Sequence, residues 1–228
     1  MTDTPRLKLI ARETLWDRVY ASLESALLSG RYAPGERVVL RDVADELGVS
    51  LTPVRDAVNR LVAEKVLDRG NVGQGGGAVV PLLNADQFDQ LMTIRAGLEP
   101  VAARAAAQHA TPEGLQPIEA SLAAMKRSVK ERRTEQYLDA HYRFHFGIYA
   151  MCGMPIVQDV IESAWLRCAP TLTLALPEYI PSLKRYPFHQ AALDALGRGD
   201  GDGAAEAIRA DIESARADIC ALLEKHTR

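Results

Sequence analysis

The chain has 228 residues, enough for one large domain or two small ones, and its 47% apolar and 25% charged content is that of a soluble globular protein. No apolar run approaches the ~18 residues of a membrane span, and Met1-Thr2-Asp3-Thr4-Pro5 lacks the basic-then-apolar pattern of a secretion signal. Three widely spaced cysteines with no CxxC pair argue against a disulfide framework or thiolate zinc site and for a reducing cytosol, while a net charge of −3 gives no support from bulk charge to nucleic-acid binding.

Leu15, Val19, Leu23 and Leu27 step by four, with Trp16 and Tyr20 alongside, which predicts an amphipathic helix stopped at Ser29-Gly30. Tyr32-Ala33-Pro34-Gly35 is a turn by its chemistry. Leu40, Val43, Ala44 and Leu47 predict a short second helix closed by Gly48. Ser50 then offers an N-cap, Pro53 falls in the first turn, and Val54, Ala57, Val58, Leu61 and Val62 form the apolar face of a third helix to about Lys65. Val66–Arg69 and Ala78–Val80 are short strand candidates flanking the glycine-rich stretch from Gly70 to Gly77. These glycines neither lead from a strand into a helix nor end in Lys-Ser/Thr, so a wing tip is favoured over a phosphate cradle. Three helices and then a hairpin is the winged helix-turn-helix order. A short capped helix presenting hydroxyls at its N-terminus and an arginine one turn in suits a DNA major groove.

Residues 1–80 hold 11 basic and 11 acidic side chains, so any phosphate affinity must come from local placement. Leu28–Arg37, Val43–Ser50 and Thr52–Leu61 resemble the GntR family of bacterial repressors over residues from about 15 to 80. The resemblance implies operator contacts from Arg41, Ser50, Thr52 and Arg55, with wing glycines near Gly75 approaching the minor groove. One position departs: between the two hydroxyl residues the family usually has arginine, and here stands Leu51. Leucine cannot bind a guanine edge but can touch a thymine methyl. The departure predicts an altered operator and a weaker salt-dependent term.

Past Pro81 the chain turns alanine-rich and helical, with residues 81–84 as a linker and 85–228 as a second, all-α domain. Phe88 to about His109 is one helix, and Thr111-Pro112-Glu113 caps a second to about Lys130. Thr134 opens a third to Met151, and Pro155 a fourth. Breaks near Pro170–Pro181 precede a fifth around Pro187–Leu196, and Ala204 to about Lys225 is the sixth. Mainly α architecture, a winged head on a six-helix bundle, is the expected fold class.

His141 and His145 stand four apart on the third helix of this bundle, so their rings share a face. Alone they are better explained by a satisfied pair or a surface face. His189 adds a third imidazole on the fifth helix, and a carboxylate on the sixth would close a site. Asp139 is out of phase with the histidine face.

Arg95-Ala96-Gly97-Leu98-Glu99-Pro100, the His141–His145 row and the two C-terminal helices resemble the FCD ligand-binding domain of the FadR branch of GntR regulators. In that family an aspartate and a histidine on the third helix, with two histidines from the last two helices, hold a divalent metal. Carried over, the aspartate position is His141, the others His145 and His189, and on the last helix Asp211 stands where the family has histidine. The two departures are an exchange: three imidazoles and one carboxylate remain, and His141 is predicted to lie near Asp211.

That donor set suits zinc first, then nickel, manganese or iron, and not calcium or magnesium. It leaves room for a small organic acid, held by the metal and by a cation. Arg95 is the candidate, against the alternative of a salt bridge to Glu99 one turn on. The whole reads as a homodimeric, cytoplasmic DNA-binding regulator, expected to be a repressor whose grip on double-stranded operator DNA is set by the acid. A metal-responsive regulator and a metal-dependent hydrolase are the alternatives. The hydrolase has no further acid or base at a defined spacing to support it.

Overall fold

The computed structural model describes residues 14–70, 77–175 and 186–226. Thr14 caps the first helix, α1 (Leu15–Leu28), through a capping box with Asp17. A short strand, β1 (Arg37–Val39), leads into α2 (Leu40–Leu47), which ends at Gly48 in the left-handed conformation with φ of 65°. A glycine takes that φ without a Cβ clash, so the chain can reverse at once into α3 (Leu51–Ala63). Strands β2 (Asp68–Arg69) and β3 (Gly77–Val79) complete a three-stranded antiparallel sheet ordered β1-β3-β2.

The sequence reading omitted β1. Three residues between a Pro-Gly turn and a helix are too few to show an alternating pattern. Only the pairing of Arg37 with Val79, which buries Val38 against the helices, makes them a strand. The apolar face expected of α3 is as read: Val54, Ala57, Val58 and Leu61 are buried.

The rest of the described chain is helical. Asn84 caps α4 (Ala85–Ala107), and Thr111 caps α5 (Pro112–Glu131) with proline in its first turn. Then come α6 (Thr134–Ala150), α7 (Pro155–Leu172) with a 3-10 turn over Thr173–Ala175, α8 (Tyr186–Gly197) and α9 (Gly201–His226). Pro170, expected to break the fourth helix of the bundle, instead lies in its last turn, where it removes the intrahelical donor to the Leu166 carbonyl but leaves only two further helical residues.

Pro100 lies inside α4 and cannot donate to the carbonyl of Ala96. Arg209 of α9 fills the gap, its Nη1 donating to Ala96 O at 3.1 Å. Further along, Arg216 clasps Asp89 with two bonds of 2.6 and 2.7 Å. These two arginines fix the register of α9 along α4.

The head meets the bundle through α1, which packs on α7 and α6. At its end Gly30, φ 73°, lies so close that a Cβ there would fall 2.6 Å from Thr173 Cγ2 and 2.8 Å from Leu138 Cδ1. Among the described residues no helix is long and apolar enough to cross a membrane.

Candidate metal centre and candidate nucleic-acid interface

Helical phase places His141 and His145 on one side of α6, and α8 and α9 bring His189 and Asp211 to the same point. One donor atom from each of the four lies within 4.8 Å of every other. His145, His189 and Asp211 are buried and His141 is partly exposed, so the cluster has a closed floor and one accessible corner. His141 and Asp211 are neighbours, as an exchange of ligand types between the two positions requires. Asp139 takes no part: it pairs with Arg143 at 2.9 Å on the outer side of α6.

The three imidazole rings stand 4.6 to 5.6 Å apart, centre to centre, and those of His141 and His145 lie against the indole of Trp165. His145 Nε2 is 3.4 Å from Asp211 Oδ2, and His189 Nε2 is 3.6 Å from Asp211 Oδ1. His145 Nε2 and Asp211 Oδ1 are buried without a hydrogen bond. Leaving such atoms unsatisfied costs about 1–3 kcal/mol each. Enclosure, then the neighbouring His145 and His189, push the His141 pKa well below its usual value. Burial opposes the charge of Asp211, but His189 and His145 outweigh it and hold the carboxyl below the ordinary carboxylate range. Three imidazoles and one carboxylate thus converge on one point, donor types that serve as metal ligands.

Behind the cluster lies a buried polar network. Glu99, fully buried, accepts from Arg95 Nε at 2.6 Å, from Trp165 Nε1 at 2.9 Å and from the hydroxyl of Tyr149. The Tyr149 oxygen is in turn 3.0 Å from His145 Nδ1. Burial, reinforced by the charge of Glu99, raises the Tyr149 pKa well above its usual value, so the phenol keeps its hydrogen. The salt bridge considered as the alternative role for Arg95 is thus present, with both side chains buried. The Arg95 guanidinium also lies 4.1 Å over the Trp165 ring, and its Nη1 meets the sulfurs of Met92 and Cys168, at 3.5 Å. Sequence reading left Tyr149 and Trp165 out. The spacing of Tyr149, four residues after His145, was the available signal.

In the head, Arg41, Ser50, Leu51, Thr52 and Arg55 are all exposed, gathered on α2 and the start of α3. Gly75 lies outside the described residues. Ser50 occupies the N-cap position, but its hydroxyl makes no capping bond. Neither Arg41 nor Arg55 forms an ion pair among the described residues. Arg60 differs: it bonds Glu64 at 2.7 Å and stacks 4.1 Å over Tyr20, so it braces α3 against α1.

Residues 15–80 match the family model for bacterial regulatory proteins of the gntR family, and residues 90–214 match that of the FCD domain. The chain therefore belongs to the GntR family of bacterial regulators, in the branch that carries an FCD domain. It is 32% identical to the HTH-type transcriptional regulator McbR of Escherichia coli K12, over 68% of this chain and 69% of that one. The solved structure of E. coli McbR/YncC superposes with a TM-score of 0.82 at 27% identity, covering 95% of this chain and 100% of that chain. The galactonate operon transcriptional repressor of E. coli K12 is 24% identical, over 87% of this chain and 93% of that one. The chain is accordingly a DNA-binding transcriptional regulator and not an enzyme. A double-stranded DNA partner follows from the head, and a small-molecule effector from the FCD domain.

Proposed function

We propose that this protein is a repressor whose affinity for operator DNA is controlled by a small organic acid bound at a metal centre in the helical domain. Supporting this most directly is the convergence of His141, His145, His189 and Asp211, donor atoms turned toward one point and two of them buried without hydrogen bonds. Tetrahedral zinc with ligands at about 2.0–2.2 Å would set donors roughly 3.4 Å apart. The His145–Asp211 separation of 3.4 Å already fits, and a pair at the 4.8 Å limit would close by about 1.4 Å. Three imidazoles and one carboxylate suit zinc first, and also nickel, manganese or iron. The bound ion would supply positive charge that attracts a carboxylate at the accessible His141 corner. Arg95, behind Trp165, adds a second positive charge.

A homodimer would set two α3 helices into successive major grooves, Thr52 and Arg55 at base edges, Arg41 and Ser50 at phosphates and Leu51 against a thymine methyl. Control would run through α6 and α7. These helices pack His141 and His145 on Trp165, and Tyr142, next to His141, bonds Glu162, one turn from Trp165. The same pair faces Glu24 on α1, and Tyr20, one turn before it, holds Glu64 at the end of α3. An acid favouring one spacing of α6 and α7 would shift the heads by its differential affinity for the two arrangements.

One observation favours a second reading, a metal-responsive regulator. Arg95 is 3% exposed and already paired with Glu99, so an acid must open that pair or rely on the metal alone. Elemental analysis of the purified protein together with mass spectrometry of released small molecules tests both. A transition metal with a carboxylic acid supports the repressor reading, a metal alone supports the sensor, and absence of metal at full reconstitution overturns both.

A further inference from the structure

We propose that Tyr149 and Glu99 are positioning residues for the metal centre: together they fix which nitrogen of His145 carries hydrogen and link that ligand to Arg95. This rests on the metal reading above and adds to it a direction of hydrogen bonding. The Glu99 carboxylate has no hydrogen to give, and three donors converge on it, from Arg95, Trp165 and Tyr149. The single hydroxyl hydrogen of Tyr149 is therefore spent on Glu99. Its oxygen can only accept from His145 Nδ1, 3.0 Å away. His145 is then the Nδ1–H tautomer, and its lone pair sits on Nε2, the atom 3.4 Å from Asp211 that has no hydrogen bond of its own.

The arrangement places a carboxylate behind a ligating histidine through one intervening phenol, the outer support that orients ligands and raises their basicity. It also makes Arg95 part of the same line. A metal drawing density from His145 strengthens the Nδ1–H bond, polarises the phenol toward Glu99, and alters the charge that Glu99 offers Arg95. Metal and any anion at Arg95 thereby sense one another across four side chains, with no backbone displacement.

The test is Tyr149→Phe, which removes one oxygen from a buried site and keeps the ring that packs against Phe146. Two measurements are made on the full chain. Long-range nitrogen–proton spectroscopy of the metal-free protein reads the His145 tautomer, which packing alone would not change. Zinc titration against a competing chelator reads affinity. The expected result is a wild-type His145 protonated at Nδ1, loss of that preference in Tyr149→Phe, and zinc affinity about 10- to 100-fold weaker. A variant matching wild type in both tautomer and affinity, or a wild-type His145 protonated at Nε2, overturns the relay while leaving the metal centre standing. Failure of the wild type to take up any metal overturns the centre itself, and the relay with it.

Discussion

His145 Nε2 and Asp211 Oδ2 lie 3.4 Å apart, both buried, one from the middle of α6 and one from the middle of α9. With the His145 tautomer proposed above, the Nε2 lone pair and the carboxylate repel at that distance, and a cation between them would relieve the repulsion. The metal-free protein should therefore be less stable than the loaded one. At free metal 100-fold above Kd the gain is about 2.7 kcal/mol. At about 2–4 °C per kcal/mol for a chain of this size, that is a rise in Tm of roughly 5–10 °C. Differential scanning calorimetry with and without chelator measures it.

His189→Ala should remove one ligand and with it most of that rise. The variant is expected to purify with reduced metal content and to show little Tm response to added zinc. Equal metal content by elemental analysis would show that His189 is not a ligand.

Arg55→Ala should weaken specific operator binding by about 10- to 100-fold, the worth of one base contact. The side chain is exposed and makes no ion pair among the described residues, so Tm should stay within ~2 °C of wild type. Unchanged affinity by electrophoretic shift would exclude Arg55 from the groove.

Leu51→Arg should restore the guanidinium usual for the family. Affinity for DNA should rise at low salt, and the slope of log K against log salt should steepen by about one. Leu51 is 37% exposed at the first position of α3, so no core contact opposes the change.

Glu24 gives a pH dependence. Its half-buried carboxyl is raised to about 7, first by burial, then by the charges of Glu162 and Glu64, against Tyr20 and Arg60, which lower it. A folded-state value above the ordinary 4.5 means the folded protein holds this proton longer, so stability contributed below 4.5 is lost as pH rises through about 7. Glu24→Gln should thus be stabilising at pH 8 and near neutral in effect at pH 4.5. Discounted for solvent screening, the gain is no more than ~2 °C. Paired melts at the two pH values decide it.

Much of the fold was legible because its signals are local. Leu15, Val19, Leu23 and Leu27 in α1, the Gly48 turn and the caps at Asn84 and Thr111 each carry their own boundary. The three histidines of the cluster were legible from the i, i+4 spacing and His189, while Asp211 was legible only through the resemblance to the FCD domain. What sequence did not disclose depends on partners far along the chain. β1 exists through Val79, some 40 residues on. The role of Glu99 depends on Tyr149 and Trp165, 50 and 66 residues away. Arg209 earns its place only because Pro100 empties a carbonyl on another helix.

The central claim, that occupancy of the bundle governs the head, is tested most directly by fluorescence anisotropy on labelled promoter DNA. The protein is first loaded with zinc, then titrated with small carboxylic acids, including any acid recovered from the purified protein. Tight, salt-sensitive binding that is released by one acid, with the release lost in His189→Ala, is the predicted result. DNA binding indifferent both to chelator and to every acid, or no DNA binding in any metal state, would contradict it.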